Sequence, residues 1–178
     1  MEQNIEDLKY PIGRFEKPEQ FTEALKRDWL TVLQILPSWM DACIENLDEA
    51  QLHVPYRDGG WTIQQVIHHL ADSHMNAYIR IKLALTEDKP TIKTYDEQAW
   101  ALLADNTQPV NISITLLHAL HRRLVTLLHT LGDDDWNRTF YHPDRKRDVT
   151  VWETAGLYAW HSRHHTAHIN GLKERMQW

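Results

Sequence analysis

Hydrophobic positions recur at intervals of three and four along most of this chain, the spacing that lines one face of an α-helix. From Pro18 to about Leu36 the pattern runs through Phe21, Leu25, Trp29, Val32, Leu33 and Leu36. Pro18 suits a first helical position. Pro37 has no amide hydrogen and predicts a kink or break there, with a second piece from Ser38 to Leu47. Thr62-Ile63-Gln64-Gln65 has the form of a capping box and predicts a helix running to about Thr86, with Pro90 as the stop. A shorter helix is expected around Tyr95–Ala104. A long one is expected from about Ile112 to Leu131, with Gly132 at C′. Thr150-Val151-Trp152-Glu153 is a second capping box and opens a last helix to about Arg175.

Two stretches lack the helical period. Residues 1–17 read as an irregular arm around Tyr10-Pro11-Ile12-Gly13, and Phe140 to Val149 reads as a small hairpin or tight loop. Four long helical patterns with little strand signal give an all-α four-helix bundle, expected as a single domain over residues 1–178.

Composition narrows the function classes. The 178 residues carry a formal net charge of −6 without a Lys/Arg block, which argues against a nucleic-acid partner. No apolar run approaches about 18 residues, so no membrane span is expected. Cys43 is the one cysteine, so no intramolecular disulfide can form. The acidic N-terminus Met1-Glu2-Gln3-Asn4 lacks the apolar region of a signal peptide. Together these place the expectation in the reducing cytoplasm. Eight tryptophans read chiefly as core residues. Trp152 and Trp160 look exposed and are compatible with a subunit interface.

The twelve histidines are unevenly distributed. Trp160-His161-Ser162-Arg163-His164-His165-Thr166-Ala167-His168 puts four of them on one helix. The inward stripe there is Val151, Ala155, Tyr158, Ser162, Ile169, Leu172 and Met176. His165 falls within it and His161 lies beside it one turn earlier, while His164 and His168 are rotated toward the flank. Two imidazoles one turn apart can grip a single divalent metal. Burying them unpaired would cost roughly 1–3 kcal/mol per polar group, which a shared metal removes. The third ligand is expected from Ile67-His68-His69-Leu70-Ala71-Asp72-Ser73-His74. There His74 has the deepest phase, His69 lies at the stripe edge, and His68 points to the surface. Spacing alone leaves His69 and His74 both open. His118, His121 and His129 read as surface residues. Asp72, one turn after His69, reads as either an orienting carboxylate or a solvated one.

The stretch Tyr56-Arg57-Asp58-Gly59-Gly60-Trp61-Thr62, followed by Val66-Ile67-His68-His69-Leu70-Ala71-Asp72-Ser73-His74, resembles the DinB/YfiT-like superfamily, in its YfiT branch. Phe140-Tyr141-His142-Pro143-Asp144 and Gly156-Leu157-Tyr158-Ala159-Trp160-His161-Ser162 extend the likeness over nearly the whole chain. The resemblance implies a dimeric four-helix bundle with one divalent metal ion per chain held by three histidines. It carries these ligands to His69, His161 and His165, and leaves His74 as a pocket neighbour.

Three neutral imidazoles leave a coordination position open, the pattern of catalytic sites. Zinc is the first expectation, with nickel, iron and manganese compatible with the same donors. The resemblance implies a metal-dependent hydrolase acting through metal-bound water. Ser162 stands where a metalloprotease carries its glutamate, so Asp72, His74 and His164 become the candidate general bases. A thiol S-transferase using a low-molecular-weight thiol such as bacillithiol needs no carboxylate base and is the alternative. A non-catalytic metal-binding stress-response module is the third reading. A small-molecule substrate is expected in either enzyme, and its identity is not encoded in any phosphate loop or nucleophile elbow.

Overall fold

The computed structural model describes residues 4–178, so Met1, Glu2 and Gln3 of the acidic N-terminal segment lie outside it. The elements are α1 (Ile5–Lys9), α2 (Glu23–Ile44), α3 (Glu49–Leu52), α4 (Ile63–Thr86), α5 (Glu97–Trp100), a 3₁₀ turn (Ala104–Thr107), α6 (Val110–His129), α7 (Asp133–Trp136), strands β1 (Thr139–His142) and β2 (Arg147–Thr150), and α8 (Val151–Met176). The four long helices form a bundle in which α2 and α4 each pack against both α6 and α8. In cross-section α2 therefore lies diagonally opposite α4.

Local chemistry sets the ends of the two histidine-bearing helices. Thr62 and Gln65 bond reciprocally at 3.1 Å through side chain and backbone, the full capping box that starts α4. Thr150 accepts from the Glu153 amide at 3.1 Å and starts α8. Here the box expected from sequence is only half formed. The Glu153 side chain, 1% exposed, turns away to pair with Lys17 at 3.1 Å and with Arg147. That pairing fixes the antiparallel β1–β2 hairpin, in which Phe140 faces Val149, over the start of α8. Trp29 of α2 lies so close to Gly156 that an added Cβ would stand 2.8 Å from its ring, so glycine lets α2 and α8 approach.

Several boundaries depart from the sequence expectations. α2 starts at Glu23 with Thr22 as its cap, not at Pro18, and it continues unbroken past Pro37 to Ile44. The missing amide at Pro37 would leave the Leu33 carbonyl, four residues back, without its helical donor. His121 of α6 fills the role, its Nδ1 donating to Leu33 O at 2.5 Å. The arm is not wholly irregular, because α1 forms in it. The helix expected over Tyr95–Ala104 is reduced to α5 and the separate 3₁₀ turn. Gly132 does not end α6, which stops at His129 with Thr130 as its cap. It opens α7 instead.

The apolar core falls into two halves along the bundle. One contains Trp29, Leu33, Ala77, Ile81, Leu124, Leu128, Ala155 and Ala159. The other contains Leu36, Met40, Ile63, Ile67, Leu70, Leu117, Ile169 and Leu172. Between them each of α4, α6 and α8 contributes buried polar side chains: Ser73 and His74, His121, and Ser162 with His165. The site described next opens from this polar layer.

Candidate metal centre

α4 supplies His69 two turns after its cap, and α8 supplies His161 and His165 one turn apart. His69 Nε2 stands 3.1 Å from His161 Nε2, and His165 Nε2 stands 3.0 Å from the same atom. One ligand atom from each of the three lies within 4.8 Å of the other two. Nitrogens bound to one tetrahedral zinc at about 2.0–2.1 Å are separated by roughly 3.3 Å, so this donor set fits a single divalent ion with little adjustment.

The surrounding hydrogen bonds fix which nitrogen is free. His168 Nε2 lies 3.1 Å from the Lys9 carbonyl, which can only accept, so His168 carries its hydrogen on Nε2. Its Nδ1 is then a lone pair, and His165 Nδ1 at 3.3 Å must donate to it. His165 thus presents the lone pair of Nε2 to the centre, and His168 acts as its orienting partner. His161 Nδ1 lies 3.2 Å from His74 Nε2, which gives the second imidazole a similar brace. His69 leans on the Trp61 ring at a centroid distance of 4.5 Å, and Trp61 Nε1 donates to Gln98 Oε1 at 3.2 Å.

Electrostatics favour the neutral, ligating form of every imidazole here. Burial holds the pKa of His69 down to about 4. Burial, and then the neighbouring histidines, push His161 and His165 well below the ordinary range. A cation replaces protons at such a cluster more readily than at exposed histidines.

The remaining sequence candidates fall elsewhere. His74 is fully buried, braces His161 and sits edge-on to Tyr158 at 4.9 Å. Its phase is inward, as the periodicity predicts, but it points past the triad. Asp72 bonds to no imidazole, and burial next to Asp105 lifts its carboxyl pKa to about 6. His164 stacks on Trp160 at 4.4 Å. His164 and His168 are buried, not on an open flank, because Lys9 and Tyr10 of the arm cover that side of α8. His68 is also buried, bonded to Ser113 Oγ at 2.7 Å and Gln108 O at 3.0 Å. Of the three α6 histidines read as surface residues, His118 and His129 are exposed and His121 is buried. Trp152 is buried too, stacked with Phe21 and Trp29. Met176, counted in the inward stripe of α8, is 48% exposed.

All three histidines border one cavity of about 400 Å³. Its rim includes Lys9, Tyr10, Arg57, Trp61, Glu97 and Gln98. A second cavity of about 660 Å³ shares His161, Glu97 and Gln98 with the first and continues toward Ser73, Tyr95 and Arg80. Tyr10, Arg57 and Trp61 lie in segments that carry the family resemblance, but helical periodicity marks none of these rim residues. They sit on loops and one-turn helices, where no periodic pattern marks an inward face.

The family pattern of the DinB superfamily matches residues 33–169, which contain the triad, all of α4 and most of α8. The chain belongs to the DinB superfamily. Among other DinB-like proteins, a Bacillus cereus (strain AH820) protein named "putative metal-dependent hydrolase" is 49% identical over 174 residues, covering 98% of this chain and 100% of the relative. A Bacillus anthracis (strain A0248) protein of the same name matches with the same identity and coverage. The structure of YfiT from Bacillus subtilis, described as "a probable metal-dependent hydrolase with an unusual four-helix bundle topology", superposes with a TM-score of 0.94 at 49% identity, over 97% of this chain and 99% of that one. This DinB superfamily member shares the bundle topology. None of its described helices is long and apolar enough to cross a membrane.

Proposed function

We propose that this protein is a metal-dependent hydrolase in which His69, His161 and His165 hold one divalent metal ion, zinc in the first instance. The approach of His69 Nε2 and His165 Nε2 to within 3.0–3.1 Å of His161 Nε2, on the wall of an accessible cavity, carries the reading. The names of relatives that match nearly the whole chain support it. A divalent ion at such a site supplies Lewis acidity and makes water a nucleophile near neutral pH. The chain's own part is geometric. His168 and His74 hold two of the imidazoles in ligating orientation, Trp61 buttresses the third, and the cavity gives a small substrate access from the rim.

The experiment is metal analysis of purified protein by ICP-MS, followed by an ester, amide and phosphoester panel before and after chelation. Wild type should bind one ion per chain and lose hydrolysis on chelation. His161→Ala should lose the ion. Undiminished stoichiometric metal in His161→Ala would remove that residue from the site.

A second reading, thiol S-transferase, is favoured by one observation: no candidate base named from the sequence (Asp72, His74 or His164) borders the cavity that holds the triad. Thiolate held by a metal needs less help from a base than water does. Metal-dependent conjugation of monochlorobimane to a small thiol, without hydrolysis of any panel substrate, would select it.

A further inference from the structure

We propose that Glu97 is the catalytic proton acceptor at the open face of the triad. The inference rests on the metal-site reading above and adds to it a residue that the sequence motifs do not mark.

Among the described residues, Glu97 is the sole carboxylate on the cavity that exposes all three histidines. It also lines the adjoining cavity, so it stands where the two meet beside His161. Its side chain makes no hydrogen bond or ion pair among the described residues, although Lys9 and Arg57 occupy the same rim. Lys9 is instead paired with Glu6 at 3.0 Å, and Arg57 donates to the Asp58 carbonyl at 2.7 Å. A solvent-facing acid on the cavity rim with no partner among the described residues is available for a ligand. Glu97 is not part of the set of ligand atoms within 4.8 Å of one another, which leaves it the role of reaching a molecule at the open position, not of binding the ion.

The segment bearing Glu97 is anchored from both sides. Asp96 Oδ1 accepts from the amides of Gln98 and Ala99 at 3.0 Å each and caps α5. Gln98 accepts from Trp61, the residue that leans on His69. Gln65 Nε2 donates to Ala101 O at 3.2 Å and ties the far end of α5 to the first turn of α4. The backbone that bears Glu97 is therefore held in register with the same helix that carries His69. Partial burial beside Asp96 raises its pKa above the usual carboxylate value, in the direction that suits a general base.

In the hydrolytic step Glu97 takes a proton from water as the water oxygen bonds to the substrate's acyl carbon. The same proton passes from the Glu97 carboxyl to the departing oxygen or nitrogen as the acyl bond breaks. One water is consumed, and Glu97 returns to its carboxylate form.

The test uses full-length protein loaded with Co(II) and two probes read by the visible spectrum of the metal. Acetohydroxamic acid must release a proton to bind as acetohydroxamate, and azide has none to release. Glu97→Gln should keep one cobalt per chain, bind azide as tightly as wild type or more so, and bind acetohydroxamate at least tenfold more weakly. On any ester that wild type hydrolyses, kcat should fall by roughly a hundredfold or more with little change in KM. Equal acetohydroxamate affinity in Glu97→Gln and wild type would overturn the role of Glu97 while leaving the metal site standing. Failure of wild type to bind cobalt would overturn both.

Discussion

At the residue scale, the orientation of each imidazole matters as much as its presence. His165 can ligate through Nε2 because His168 accepts from its Nδ1, and His168 can accept because the Lys9 carbonyl takes its other hydrogen. The chain of dependence runs from the backbone of α1 to the candidate metal centre. His168 also stacks on Tyr56 at 3.9 Å with an interplanar angle of 19°, so a phenyl ring in its place keeps the packing while removing both the acceptor for His165 and the donor to the Lys9 carbonyl. His168→Phe should therefore fold normally and bind zinc about 10–100-fold more weakly. Competition with a chromophoric chelator measures this, and wild-type affinity would show that the His165 tautomer does not depend on His168. Helical phase on α8 points to His161 and His165 because both lie on or beside a face that the helix must bury. On α4 it could not choose between His69 and His74. Both are buried there, and the difference lies in what stands opposite: α8 imidazoles for His69, and His121, His161 and Tyr158 for His74.

At the element scale, the instructive case is α2. A proline inside a helix ordinarily costs about 3 kcal/mol or more, and the sequence predicts a kink or break there. The cost is met in part from another helix, since His121 donates to the carbonyl that Pro37 leaves free. His121→Leu should destabilise the protein by about 1–3 kcal/mol through an unpaired buried carbonyl. Adding Pro37→Ala should recover part of that loss, because the alanine amide restores the helical donor to the Leu33 carbonyl. Urea denaturation of the two single variants and the double variant tests this as a cycle. Strictly additive effects would separate the two residues. The starts of α4 and α8 were legible locally, because a capping threonine followed by an apolar run is a short-range signal. The course of α2 was not legible, because its rescuing donor is 88 residues away in sequence.

At the scale of the whole molecule, the buried histidine layer couples stability to pH. Burial lowers the folded-state pKa of His69, His121 and His168 to about 4, against 6.5 for an imidazole in the unfolded chain. The unfolded chain therefore binds more protons across that interval, and stability rises with pH there. The contribution is fully present above about 6.5 and is lost as pH falls toward 4. Asp72, raised to about 6, works in the opposite sense over part of the range, but it is one group against several. The melting temperature of the metal-free protein should fall steeply between pH 6.5 and 4. A flat profile in differential scanning calorimetry would show that these imidazoles are not held neutral.

The sequence by itself determined the four-helix bundle, the starts of its two histidine-bearing helices, and the pairing of His161 with His165 on one side of α8. Periodicity and capping are written in neighbouring residues, and any fold must satisfy them. Tertiary structure alone decided the rest. Why His68, His121, His164 and His168 are buried, and how Glu97 comes to the rim, depend on side chains and carbonyls from distant segments. A lone helix cannot show what will cover its outer face, and here the arm, the α5 segment and the other long helices cover it.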